Sequence, residues 1–142
     1  MNESQIPKGL IEEYQATEYR IGESPEGFTL RIDRRSDALA RLLSNSDRAC
    51  ALFITAYNPF SQPQCEEENK LANRFLLEDL VCQAMSVTTG IGINPVGQWS
   101  GEPGYLALGL DHETSCALGR KYRQNAVVWA AADGVPQLLL LR

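Results

Sequence analysis

Apolar residues recur along the chain in two rhythms, and the rhythm changes several times. Residues 6–15 place Leu10, Ile11 and Tyr14 at helical spacing, with Pro7 in the first turn. Residues 17–21 and 28–32 read as two strands, and the ESPEG segment between them is a hairpin signal. Ser36 is placed to cap a helix through residue 45, with Leu39, Leu42 and Leu43 toward the core. Residues 49–57 are apolar almost throughout, as expected of a central strand covered on both faces. The longest predicted helix covers residues 65–85, with Ala72, Phe75, Leu76 and Leu80 as its buried stripe and Asn73, Arg74 and Glu78 pointing elsewhere. Residues 86–93 form a strand interrupted by Gly90 and Gly92, residues 94–104 a turn-rich loop, and residues 105–110 a returning strand. Asp111 caps a helix through residue 122, and residues 125–131 and 137–141 form a closing strand pair around Asp133-Gly134.

This order of elements predicts one α+β domain over residues 1–142, a mostly antiparallel sheet covered by about four helices. With 142 residues the chain suffices for one hydrophobic core and is short for two. It has no internal repeat or low-complexity tract. Strand order is not fixed by the pattern.

Charge and composition narrow the function classes. Net charge is −5 and there is no basic run, so counterion-releasing nucleic-acid binding is disfavoured. No apolar segment approaches the roughly 20 residues of a membrane span. The N-terminus lacks the pattern of a signal peptide, and a cytoplasmic protein is expected. Cys50, Cys65, Cys82 and Cys116 make no CxxC spacing, and four reduced, mostly buried thiols are expected. His112 is the single histidine, which excludes a multi-histidine metal site; no metal or cofactor is implied. His112 itself reads as a surface residue beside a helix cap. Nucleophile-elbow, dinucleotide and Walker phosphate-loop motifs are absent.

Three segments carry a family resemblance: FITAYNPFSQPQCEEEN (53–69), WSGEPGYLALGL (99–110) and LGRKYRQNAVVWAAADGVPQLLLLR (118–142). Together they resemble the bacterial family called domain of unknown function 3293, over about residues 10–142. The resemblance implies a small bacterial cytoplasmic protein and brings no catalytic residues with it. Cys65 departs from a good helix cap, where serine would serve better.

Three polar segments sit where strands meet loops or helices, and each has a structural explanation beside the functional one. The first holds Asn58, Ser61 and Gln62 with Glu66, Glu67, Glu68 and Asn69, in a loop leading to a helix N-terminus. Acidic residues there also complement the helix dipole, and Cys65 with Glu68 is close to a capping box. The second holds Trp99 and Glu102 with Tyr105, an aromatic beside a carboxylate, or simply a loop packed down by its tryptophan. The third holds Arg120, Gln124 and Asn125 at a helix end, where cations favour the dipole and Asn125 is a candidate left-handed cap. A small polar ligand site built from all three is the leading expectation, and it requires that they converge in space. The alternatives are an acidic protein-interaction module, immunity- or inhibitor-like with a basic protein partner, and a hydrolase-type enzyme using a glutamate base.

Overall fold

Apolar side chains at every position of 51–54 require cover on both sides, and both sides are covered. The computed structural model describes residues 4–23, 25–95 and 101–142. In chain order the elements are α1 (Lys8–Ala16), β1 (Glu18–Ile21), β2 (Phe28–Arg31), α2 (Asp37–Ser44), β3 (Ala51–Ile54), α3 (Glu66–Gln83), β4 (Ser86–Ile93), β5 (Glu102–Leu108), α4 (His112–Lys121), β6 (Ala126–Ala130) and β7 (Gln137–Leu140). The strands form one sheet in the order β2-β1-β4-β5-β3-β6-β7, and each neighbouring pair is antiparallel. The fold is a single α+β domain, as the pattern of elements implies. Among the described residues, no helix is long and apolar enough to cross a membrane.

Alternation along the strands sends side chains to two cores. On one face Phe53, Leu106 and Val128 pack with Tyr19, Ile21 and Leu30 under Leu39 and Leu43 of α2. On the other, Leu52, Ile54, Ala107 and Val127 pack against Leu76 and Leu80 of α3 and Leu118 of α4. The sheet is curled. Just after edge strand β2, the Asp33 and Ser36 N–H groups donate to the Pro136 and Gly134 carbonyls beside the opposite edge, at 2.8 and 2.9 Å.

Two helix caps form as their sequences require: Ser36 Oγ accepts from Leu39 N at 3.1 Å, and Asp111 Oδ1 accepts from Thr114 N at 2.8 Å. Cys65 caps α3 without a side-chain bond, so no capping box exists there. Several expectations are corrected. Leu42 is 39% exposed and Phe75 53% exposed, while Asn73 is buried at 6%. The apolar stripe of α3 is therefore narrower than expected, because polar asparagines share its inward face. Residues 102–104 belong to β5 rather than to a loop. The left-handed residue after α4 is Arg123 (φ 55°), not Asn125. All four thiols are free, but Cys65 and Cys82 are exposed and Cys50 is half-buried, leaving Cys116 alone as a buried one.

Gly90 and Gly104 face each other across β4 and β5. A Cβ at Gly104 would lie 2.7 Å from the Ile54 carbonyl and 3.0 Å from the Phe53 ring. One at Gly90 would lie 2.9 Å from that same ring. The paired glycines thus leave a slot in which Phe53 lies against the sheet. The ring lines a cavity at the end of the sheet where β3 finishes and β5 and β6 begin.

Candidate functional site

Beyond β3 the backbone enters an unfavourable conformation. Asn58 (φ 45°), Phe60 (φ 55°) and Ser61 (φ 59°) are all left-handed, in a turn over Pro59–Ser61. Asparagine tolerates this region; phenylalanine and serine are there at a cost of roughly 1–2 kcal/mol each. The turn is held from outside, since Phe60 N donates to the Arg123 carbonyl at 2.6 Å. It is also closed from within, by Ser61 N donating to the Asn58 carbonyl at 2.8 Å.

A line of three asparagines fixes the loop to α3 and β5. Asn73 accepts from Ala56 N at 2.8 Å and donates to the Pro103 carbonyl at 2.9 Å, joining the extension of β3 to the start of β5. One turn earlier, Asn69 Oδ1 accepts from Asn58 N and from Gln64 Nε2, both at 2.8 Å. Asn58 Oδ1 in turn accepts from Asn69 Nδ2 at 2.9 Å and from Gln64 N at 3.2 Å. The remaining Asn58 group, Nδ2, donates to Glu102 Oε2 at 2.9 Å. Asn69 and Asn73 lie four residues apart on a helix face, a spacing that presents both to the same neighbour.

Glu102 and Asn58 line a cavity of about 60 Å³. Ser61, Gln124 and Asn125 line it too, with Tyr14, Tyr19, Phe53 and Tyr57 supplying aromatic wall. At roughly 10–15 Å³ per water, this space suits several waters or a ligand group of a few heavy atoms. At the far wall Asn125 Nδ2 donates to Tyr14 Oη at 3.0 Å and approaches Ser61 Oγ at 3.4 Å, and the two hydroxyls bond each other. Behind Asn125, Arg142 donates to Oδ1 at 3.2 Å, and its guanidinium stacks 4.2 Å from the Phe60 ring centre. Gln124 Nε2 donates to the Tyr57 and Tyr122 carbonyls, each at 3.2 Å.

The cavity is electrostatically lopsided. Burial pushes the Glu102 carboxyl above its ordinary value of 4.5, opposed by the Asn58 amide. Burial likewise raises the Tyr14 and Tyr19 phenols, so both are neutral at physiological pH. Burial, with the Glu66 carboxylate as its hydrogen-bond acceptor, pushes Tyr57 up to about 12. An acid whose folded pKa is raised binds more protons folded than unfolded. Stability from Glu102 is therefore greatest below 4.5 and is lost as pH rises through the raised value. Glu102→Gln keeps an acceptor for Asn58 and removes this loss. We expect its melting temperature to exceed that of the wild type at pH 7–8 and the gap to close toward pH 4, measured by calorimetry across that range. A gap that widens on acidification would contradict the burial of this carboxyl.

Of the residues expected from sequence, Asn58, Ser61, Glu102, Gln124 and Asn125 meet around one cavity. Gln62, Glu67 and Arg120 are exposed and do not line it. Glu68 lies instead on a separate groove of about 320 Å³ with Leu71, Phe75, Tyr122 and Arg123. Trp99 lies outside the described residues. Asn69, expected from sequence as part of the first polar segment, serves as framework beside Asn58. Tyr14 and Asn73 are framework residues that the sequence pattern does not single out for a site, although i,i+4 asparagines inside an apolar stripe are a usable signal. His112 is exposed and its ring meets Trp129 edge-on at 5.3 Å. Among the described residues no cluster of three or more His, Cys, Asp or Glu side chains suits a metal ion.

A family model matches residues 54–127, from the end of β3 to the start of β6. Its description is Protein of unknown function (DUF3293). The chain belongs to this family. The matched segment includes the strained loop, the two α3 asparagines, Glu102, Gln124 and Asn125. Tyr14, Tyr19 and Arg142 fall outside it. No curated protein and no solved structure matches the chain.

Proposed function

We propose that this DUF3293 protein binds a small polar ligand in the cavity between the 58–61 loop and the starts of β5 and β6. The observation that carries this reading is Glu102. Its carboxylate is half-buried beside an open space, and Oε2 accepts one amide bond. Oε1 receives no hydrogen bond from a described residue. A half-buried carboxylate with one oxygen still open to the cavity is an acceptor that a ligand donor can satisfy. The strained turn supports the same reading, because left-handed Ser61, which lines the cavity, is held in place beside Phe60 at a stability cost.

A second reading, a hydrolase-type enzyme, draws support from the raised pKa of Glu102, which suits a general base. Its base is Glu102 rather than Glu67, which lies in solvent, or Glu68, which lies on the separate groove. In both readings Glu102 contacts the ligand.

Native mass spectrometry of protein purified gently from its own host tests the proposal. We expect a stoichiometric small-molecule adduct on the wild type that is lost from Glu102→Ala and Asn125→Ala. An adduct retained by both folded variants, or a bare wild-type protein, would contradict it.

A further inference from the structure

The cavity offers acceptors more freely than donors. Each amide nitrogen lining it already donates to a protein acceptor: Asn58 to Glu102, Gln124 to two carbonyls, and Asn125 to Tyr14 and Ser61. Three of the hydroxyls on its wall are turned the same way. Thr55 donates to the Pro103 carbonyl at 2.6 Å, Thr17 to the Glu13 carbonyl at 2.7 Å, and Tyr19 to the Tyr14 carbonyl at 3.2 Å.

No Lys, Arg or His is among the described residues that line this space. Glu102 takes part in none of the described ion pairs, which join Glu18, Asp37 and Asp79 to arginine or lysine at the surface. Arg142, the guanidinium bonded to a cavity residue, is committed to Asn125 and to the Phe60 ring. The titratable groups around Glu102 are Tyr14 from α1, Tyr19 from β1 and Tyr57 from the segment after β3. All three are neutral phenols, so no cation among the described residues compensates the carboxylate.

An anion would meet this carboxylate in a low-dielectric space and be repelled. A neutral polyol would leave the charge in place and find few free donors. A small cation meets both conditions, since it donates and it neutralises Glu102, and aromatic side chains line the space it would occupy. We propose that the ligand group seated against Glu102 is a small organic cation of the ammonium class, held by the Glu102 carboxylate within an aromatic wall of Tyr14, Tyr19, Phe53 and Tyr57. This rests on the reading of the cavity as a ligand site.

The test is an NMR titration of the intact chain at constant ionic strength. The probes are methylammonium and ethylammonium, against methanol and ethanol as neutral counterparts of matched size, and acetate as the anion. We expect saturable shifts of the Asn58 and Asn125 side-chain amides with the ammonium probes only. Glu102→Gln should weaken them by about tenfold or more, equivalent to about 1.4 kcal/mol. That variant keeps the Asn58 contact, and its fold is checked by its own amide spectrum. Equal shifts from the alcohols, unchanged in Glu102→Gln, would overturn the cationic assignment and leave the ligand site standing. No saturable shift from any probe would also overturn it. The host-purified adduct then decides separately whether the cavity binds something else.

Discussion

Replacing Asn73 with alanine lowers the free energy of unfolding by about 2–4 kcal/mol, because it strands the buried Ala56 N–H and removes a donor from the Pro103 carbonyl. Pro103 retains the Thr55 hydroxyl, so the amide is the larger loss. The interaction is specific enough to be read with a second substitution. Asn73→Asp keeps an acceptor for Ala56 N but turns a carboxylate oxygen toward the Pro103 carbonyl. Protonation of that carboxylate restores a donor. Its folded pKa is therefore raised, and its stability contribution is fully present below the unfolded pKa and lost as pH rises through the folded one. Urea denaturation at several pH values measures both effects. Asn73→Ala should shift the midpoint with little change in slope, and Asn73→Asp should approach the wild type on acidification. An Asn73→Ala midpoint within error of the wild type would mean that water or a backbone shift satisfies these groups and that α3 does not fix the start of β5.

Asn58→Ala is expected to cost about 4 kcal/mol. Three side-chain partners are lost, Glu102, Asn69 and the Gln64 N–H, at about 1 kcal/mol each. The left-handed backbone adds roughly 1 kcal/mol for a residue with a Cβ and no local hydrogen bond. Asn58→Gly loses the same partners but accepts the backbone angle, so it should be about 1 kcal/mol more stable than Asn58→Ala. Equal stability of the two variants would show that the turn relaxes out of the left-handed region. If the proposed site is correct, both variants also lose the ligand, because Asn58 positions the Glu102 carboxylate.

Most of the secondary structure is legible in the sequence because its signals are local. Ser36 and Asp111 announce their helices, and the unbroken apolar run at 51–54 identifies a strand buried on both faces. Phe75 and Asn73 exchange their expected roles because the inward face of α3 serves two purposes. Leu76 and Leu80 fill the core, while Asn69 and Asn73 satisfy backbone and loop groups at the end of the sheet. Hydrophobic periodicity alone reads an asparagine as outward-facing, and only the long-range partner reverses that. The candidate site is legible in the same partial way. Asn58, Glu102 and Asn125 stand out as polar residues at element ends, but their meeting depends on a strand order that places β5 and β6 on either side of β3. Tyr14 is invisible from sequence because it reaches the cavity from a helix at the other end of the chain. Gln62, Glu67 and Arg120 share the same segments yet face solvent, since adjacent residues on a turn or helix diverge in direction.

The proposed role of Glu102 as the group that holds a ligand in the cavity is decided by a crystal structure of the protein as purified from its own host. Density other than water should fill the space beside Asn125, with a donor atom within hydrogen-bond distance of Glu102 Oε1. A cavity holding ordered water alone, with the Glu102 side chain turned out into solvent, would contradict it.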